Sequence, residues 1–266
     1  MKLTMLGTGH AAAVECYNTC FVLSEKDKYF LVDAGGGNQI LMQLKKAGIP
    51  VEQIHDIFVT HEHIDHLLGV FWMIRIIGQK INQKKYEGDL NIYCHSELAG
   101  KIESIARLTI MPKIIRLLGG RIRIVAVEDG EKRKIIDHKV KFFDIGSRKA
   151  KQYGFTLKLD NERKFTCLGD EPYNPENYEE VRKSEWLMHE AFCLYSQNER
   201  FKPYEKSHST VKDACQAAAE LKVPNLILYH TEDENLPRRK HMYTEEGRQY
   251  YRGNLFVPDD LEVIKL

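Results

Sequence analysis

The stretch Thr60-His61-Glu62-His63-Ile64-Asp65-His66 places three imidazoles and two carboxylates within a single short run. These are the ligand types of zinc, iron and manganese sites. The run follows Ile57-Phe58-Val59, which reads as the end of a strand, so His61 and His63, two positions apart, project to the same side of an extended segment. Asp65 and His66 fall where a helix begins and reach a second point nearby. The spacing suits two adjacent metals. By chance, His-x-His-x-Asp-His is expected about once in a thousand chains of this length and composition, and its position between strand and helix makes coincidence rarer still.

A two-metal centre needs further ligands, and strand ends are where to look for them. Asp170 follows Phe165-Thr166-Cys167-Leu168-Gly169, where a carboxylate can bridge two ions. His230 follows Leu226-Ile227-Leu228-Tyr229. Asp33 closes Phe30-Leu31-Val32 ahead of Gly35-Gly36-Gly37, where it can orient a ligand imidazole through that ring's second nitrogen. His208 precedes Ser209-Thr210-Val211-Lys212-Asp213, and the Thr210/Asp213 spacing is that of a capping box, which puts His208 beside a helix N-terminus favourable to an anionic oxygen. His10 follows the Gly7-Thr8-Gly9 turn and can face the same chemistry.

These residues must be positioned by alternating elements. Short apolar runs at Leu3–Leu6, Cys20–Leu23, Tyr29–Val32, Ile54–Thr60 and Asn91–Cys94 read as strands, with Asn38–Ala47, Asp65–Ile77 and Glu97–Leu108 as helices. Asp65–Ile77 is apolar on nearly all sides, which predicts deep packing against a sheet. A strand-rich block follows: Ile122–Val127, Lys139–Ile145, Gly154–Leu159 and Lys164–Leu168, with a turn at Asp160-Asn161-Glu162. Glu185–Met188 and Asn225–Tyr229 are further strands around a helix at Val211–Leu221. A last helix is expected at Tyr243–Tyr251, and one or two strands in Leu255–Leu266. Both halves mix strands with helices, which predicts one domain, residues 1–266, with helices covering a two-sheet core.

Composition closes other doors. The chain has 266 residues, 43% hydrophobic and 29% charged, with a net charge of +1, so it buries a sizeable core and has no global field to hold a polyanion. The basic runs Lys132-Arg133-Lys134, Arg148-Lys149-Ala150-Lys151 and Arg238-Arg239-Lys240 read as solvated faces, without the interleaved aromatics of a base-stacking platform. The six cysteines form no C-x-x-C pair and read as reduced. No run is long and apolar enough to span a bilayer and no signal-peptide core opens the sequence, so a soluble cytoplasmic protein without membrane contact is expected.

At these motifs the chain resembles the metallo-β-lactamase superfamily, and within it the ribonuclease Z-like branch. Leu6-Gly7-Thr8-Gly9, Leu31-Val32-Asp33-Ala34-Gly35, Thr60–His66, Gly169-Asp170, His189-Glu190-Ala191-Phe192, His208-Ser209-Thr210 and Tyr229-His230 match successive motifs of that branch. The resemblance implies an α+β fold, the four-layer αββα sandwich, and two divalent ions, zinc first with manganese or iron as alternatives. It implies one ion on His61, His63 and Asp170, and the other on Asp65, His66, Asp170 and His230, with Asp33 behind them. Catalytic roles then fall to Asp65, to His208 as oxyanion stabiliser or leaving-group acid, and to Glu190 orienting His208. The branch completes its first metal with one more histidine, and the matching position here is Gly146, which has no ligand atom. That site is therefore expected to be under-occupied or completed by water. Neither His138 nor His189 replaces the ligand by sequence logic.

Two metals acidify a shared water, which implies a hydrolase whose hydroxide attacks a phosphodiester or other small ester. A lactone or thioester hydrolase and a catalytically weak metal-dependent binding protein are the alternatives, the latter because of Gly146. An iron redox centre ranks last, since His63 stands where diiron members of the superfamily have Glu. The tRNA-gripping arm of the branch belongs before the bridging aspartate, where Gly154–Asp170 is only a compact hairpin, so tRNA is not the expected substrate. A homodimer is compatible with the resemblance, although no apolar stripe demands it.

Overall fold

The short apolar runs form strands, and the glycines and acidic residues that punctuate them form the turns between. The computed structural model describes residues 1–160 and 163–266, so the turn expected at Asp160-Asn161-Glu162 falls partly outside the described residues. The chain divides into two compact units: Met1–Gly7, Tyr17–Glu128 and Leu261–Leu266 form the first, Thr8–Cys16 and Asp129–Asp260 the second.

The first unit is built on β1 (Lys2–Gly7), β2 (Cys20–Glu25), β3 (Lys28–Val32), β4 (Ile54–Phe58), β5 (Leu90–His95) and β6 (Ile122–Val127), side by side in that order, with the C-terminal strand Val263–Lys265 beyond β1. β1 to β3 are antiparallel, whereas β3 to β6 run parallel. Parallel neighbours require crossovers, here α1 (Gln39–Lys46), α2 (Ile64–Asn82), α3 (Ser96–Thr109) and the single turn α4 (Pro112–Ile115). Because β3 and β4 are parallel and adjacent, Asp33 and the Thr60–His66 segment leave the sheet at the same edge.

Helix α2 carries half of that segment. It runs five residues beyond the expected Ile77, and its face of Leu67, Val70, Met73, Ile74 and Ile77 joins the core. That face packs deeply, as expected, while the opposite one is open: Ile64, Leu68 and Trp72, spaced by four, are 66%, 37% and 40% exposed. The helix backbone lies directly on the loop after β3. Gly69 N–H donates to Gly35 O at 2.9 Å and Ala34 N–H to His66 O at 3.0 Å. A Cβ at Gly69 would stand 1.8 Å from the Ala34 carbonyl oxygen.

The second unit contains β7 (Lys132–Ile135), β8 (His138–Asp144), β9 (Tyr153–Lys158), β10 (Lys164–Cys167), β11 (Trp186–Glu190), β12 (Asn225–Tyr229) and β13 (Asn254–Phe256), ordered from β13 to β7 across its sheet. β7 to β10 are antiparallel and β10 to β13 parallel, so β10, β11 and β12 deliver Asp170, Glu190 and His230 at one edge. The short turns α5 (Tyr178–Val181) and α6 (Asn198–Phe201) precede α7 (Val211–Glu220) and α8 (Leu236–Gly247). Both arms of the Thr210/Asp213 capping box form at the start of α7.

Two readings change here, and one basic run proves solvated as read. Lys132-Arg133-Lys134 belongs to β7, an edge strand whose exposed cations suit an unpaired sheet edge. The last helix starts at Leu236 rather than Tyr243, because Pro237 in its first turn is compatible with helix entry. Arg239, read as part of a solvated face, is fully buried; it donates to Thr8 Oγ1, Thr231 Oγ1 and Pro258 O at 3.0, 2.8 and 2.9 Å. The cysteines are free thiols, and five of them are buried. Among the described residues no helix is long and apolar enough to cross a membrane.

The α2 contact gives a direct test. Gly69→Ala drives a methyl group into the Ala34 carbonyl, and overpacking of this kind costs about 1–3 kcal/mol. Urea denaturation should show a lower midpoint, whereas Gly100→Ala, with open space around the added carbon, should not.

Candidate functional site

In the first unit a single carboxylate organises the signature. Asp33, at φ 54° immediately after β3, accepts Thr60 N–H on Oδ1 at 2.8 Å and the Thr60 hydroxyl on Oδ2 at 2.8 Å. His66 Nδ1 lies 2.7 Å from the same Oδ2, which fixes its proton on Nδ1. Because the Thr60 hydroxyl donates to Asp33, it accepts from His61 Nδ1 at 2.9 Å. Both rings therefore turn Nε2 forward as the atom available for a metal, which is the outer-shell arrangement that orients ligand imidazoles.

The remaining donors close around those two nitrogens. His61 Nε2 is 2.9 Å from His63 Nδ1, and His66 Nε2 is 3.3 Å from Asp65 Oδ2. His61, Asp65 and His66 are buried. Two imidazole nitrogens at 2.9 Å need a proton or a cation between them. In the metal-free chain, burial opposes the imidazolium of His66, but the charges of Asp65 and Asp33 outweigh it and raise that pKa well above the usual histidine value. A cluster that gathers positive charge in this way fits a divalent cation. The donor chemistry fits zinc, manganese or iron.

The second unit groups Asp170, His208 and His230, each offering an atom within 4.8 Å of the others. Asp170 is held by a residue that spacing did not single out. Gln152 Nε2 donates to Asp170 Oδ1 at 2.5 Å, and Asp170 N–H donates to Gln152 Oε1 at 2.8 Å. Gly169, at φ 75°, makes room for this clamp, since a Cβ there would sit 2.0 Å from Gln152 Oε1. The Tyr229 hydroxyl donates to the Gly169 carbonyl, tying the end of β12 to the end of β10. Asp170 Oδ2 then stands 3.6 Å from His230 Nε2.

His208 is 12% exposed, and its Nδ1 faces buried Glu190 Oε2 at 3.6 Å, an ion-pair separation slightly longer than the expected hydrogen bond. Glu190 also accepts Ser209 N–H, so the same carboxylate fixes the loop that carries His208. Phe192 stacks on the His208 ring at 5.2 Å and meets the edge of His10 at 4.9 Å. The His10 ring lies 6.5 Å from that of His230, so the residue after the first turn does join this group.

Gly146 adopts φ 71°, and a Cβ would approach Asn174 Nδ2 at 2.6 Å, so a side chain there is strained. His138 and His189 do not stand in for it. His138 Nδ1 pairs with Lys158 O at 2.8 Å, while His189 spends both nitrogens on backbone, with Glu190 O at 2.7 Å and Tyr173 N–H at 3.1 Å. His95 caps α3 by accepting Leu98 N–H at 3.3 Å, a structural use.

Two outcomes follow from this geometry. Gln152→Ala removes both hydrogen bonds that Gln152 makes to Asp170 and should weaken zinc binding about ten- to hundredfold, measured by competition with a chromogenic chelator. In the metal-free protein, burial and the neighbouring His230 push the His10 imidazole from 6.5 down to about 4. A depressed pKa means that its contribution to stability is present above pH 6.5 and is lost as pH falls towards 4. NMR titration should find that low midpoint, and His10→Gln should flatten the acid limb of the stability profile.

Residues 1–249 match the family described as anti-Pycsar protein Apyc1. Ribonuclease Z of Bacteroides fragilis (strain YCH46) is 26% identical over 287 residues, covering 88% of this chain and 91% of that relative. The metallo-β-lactamase fold protein YhfI from Bacillus subtilis superposes with a TM-score of 0.80 at 17% identity, covering 99% of this chain and 98% of its own. Human tRNase Z, short form, superposes with a TM-score of 0.75 at 21% identity, covering 100% and 99%. These likenesses show the α+β metallo-β-lactamase fold, and the hydrolases among the relatives support the metal-dependent hydrolase class and the ribonuclease Z-like branch. With the family match extending over nearly all of its length, the chain belongs to the anti-Pycsar protein Apyc1 family of the metallo-β-lactamase superfamily.

Proposed function

We propose that the chain is a dinuclear metal-dependent hydrolase acting on a phosphodiester or another small ester. The observation that carries this reading is the Asp33 network, which turns the Nε2 atoms of His61 and His66 forward beside Asp65 and His63. Such an arrangement has no purpose in packing alone. In the reading, His61, His63 and Asp170 hold one ion, and Asp65, His66, Asp170 and His230 the other. When bound, two divalent ions supply Lewis acidity, lowering the pKa of a water and stabilising negative charge on the attacked centre.

The chain's own groups would do the rest. His208, backed by Glu190, is placed to donate a proton to the leaving oxygen or a hydrogen bond to the developing oxyanion. Gln152 holds Asp170 so that its second oxygen points towards His230. β9 and β10 pair directly, and Leu159 N–H donates to Arg163 O at 2.7 Å, a close connection that supports reading a hairpin without the branch's tRNA arm. Together with the +1 net charge this favours a small diester over tRNA.

Gly146 favours a second reading, a metal-dependent binding protein of low turnover, since a glycine supplies no ligand atom at that position. Metal analysis separates the two. The hydrolase should carry about two ions per chain and turn over bis(p-nitrophenyl) phosphate. Asp65→Ala should reduce that turnover by more than about a hundredfold, because loss of a ligand exceeds the effect of outer-shell changes. An intact, metal-loaded protein inert towards phosphodiester, lactone and thioester panels would leave the binding reading.

A further inference from the structure

The loop from Gly146 to Lys151 stands where the branch supplies a metal ligand, yet here it is basic: Arg148, Lys149 and Lys151 follow the glycine. The loop is anchored. Buried Glu171, next to Asp170, accepts the Ser147 hydroxyl at 2.5 Å and Arg148 N–H at 3.3 Å, and Ser147 Oγ in turn accepts Lys149 N–H at 3.2 Å. The backbone of Lys149 is thereby fixed. Its ammonium reaches His208, with Nζ 3.4 Å from Nε2. An ammonium only donates, so Lys149 donates to His208 Nε2, and a substrate oxygen that takes the ammonium frees that nitrogen to face the leaving group.

A second cation approaches the same ring system. Lys206 Nζ lies 5.0 Å over the Phe192 ring, whose plane stacks on His208. Both ammonium groups belong to exposed residues, and neither has a carboxylate within ion-pair distance among the described residues. A neutral ester carries negative charge only as its transition state forms, so two positive charges beside His208 do not bind it in the ground state. A phosphodiester carries a full negative charge on its non-bridging oxygens, which an ammonium binds as a point charge.

We propose that Lys149 is the specificity-determining residue of this site, selecting an anionic phosphodiester through a direct contact with a non-bridging phosphate oxygen, with Lys206 adding to the local positive potential. The loop that lacks the histidine ligand thus serves substrate recognition. This deepens the hydrolase reading and rests on it for the word substrate, whereas the anion contact itself is testable without turnover.

The first arm uses metal-free protein and inorganic phosphate. Phosphate should shift the His208 ring resonances, and Lys149→Met should weaken that binding about tenfold, equivalent to ~1.4 kcal/mol. Lys149→Arg should restore most of it. The second arm compares bis(p-nitrophenyl) phosphate with neutral p-nitrophenyl acetate on the metal-loaded enzyme. Lys149→Met should lower the diester-to-acetate ratio of kcat/KM about tenfold, chiefly through KM for the diester. Equal phosphate affinity in Lys149→Met and the unsubstituted chain overturns the proposal, as does an unchanged ratio. If the loaded enzyme turns over neither probe, the hydrolase reading fails, and the phosphate arm still decides the role of Lys149.

Discussion

The Asp33 carboxylate is the constraint on which the first unit's chemistry depends. It accepts from the Thr60 backbone, the Thr60 hydroxyl and His66 Nδ1, so one side chain joins the end of β3, the end of β4 and the first turn of α2. It also sets two tautomers, directly for His66 and through Thr60 for His61. A ligand imidazole with the wrong nitrogen forward is useless to a cation, and buried rings cannot borrow water to correct it. The left-handed backbone of Asp33 is consistent with a residue held by its surroundings rather than by local preference.

The second unit solves the same problem with different chemistry. Asp170 is held by a neutral amide that both donates to its carboxylate and accepts from its backbone. A neutral partner leaves the negative charge of Asp170 uncancelled, as the proposed metal-bridging role would require. Next to it Glu171 supports the Ser147–Lys149 loop. Two adjacent carboxylates are therefore separated in function by what each faces.

Much of this was legible in the sequence because it is local. The signature between β4 and α2, the strand-end positions of Asp33, Asp170 and His230, and the Thr210/Asp213 capping box all follow from spacing within a few residues. What was not legible is carried by contacts between distant segments. Gln152 meets Asp170 across a hairpin, and nothing in its neighbours distinguishes it from a surface amide. Arg239 looks like one cation among three in Arg238-Arg239-Lys240, yet it is the one turned inward onto Thr8 and Thr231. Lys149 also reads as a solvated charge until the loop is closed by Glu171. The apolar all-round character of α2 predicts its deep packing but hides which side is left open, the face of Ile64, Leu68 and Trp72.

The Gly169–Gln152 contact has a consequence for how this chain can change over generations. Position 169 cannot acquire a side chain while the long amide at 152 occupies the space, and position 152 cannot shorten without releasing Asp170. Neither single step is neutral, so the two sites are expected to be inherited as a pair and to be exchanged together when they are exchanged at all.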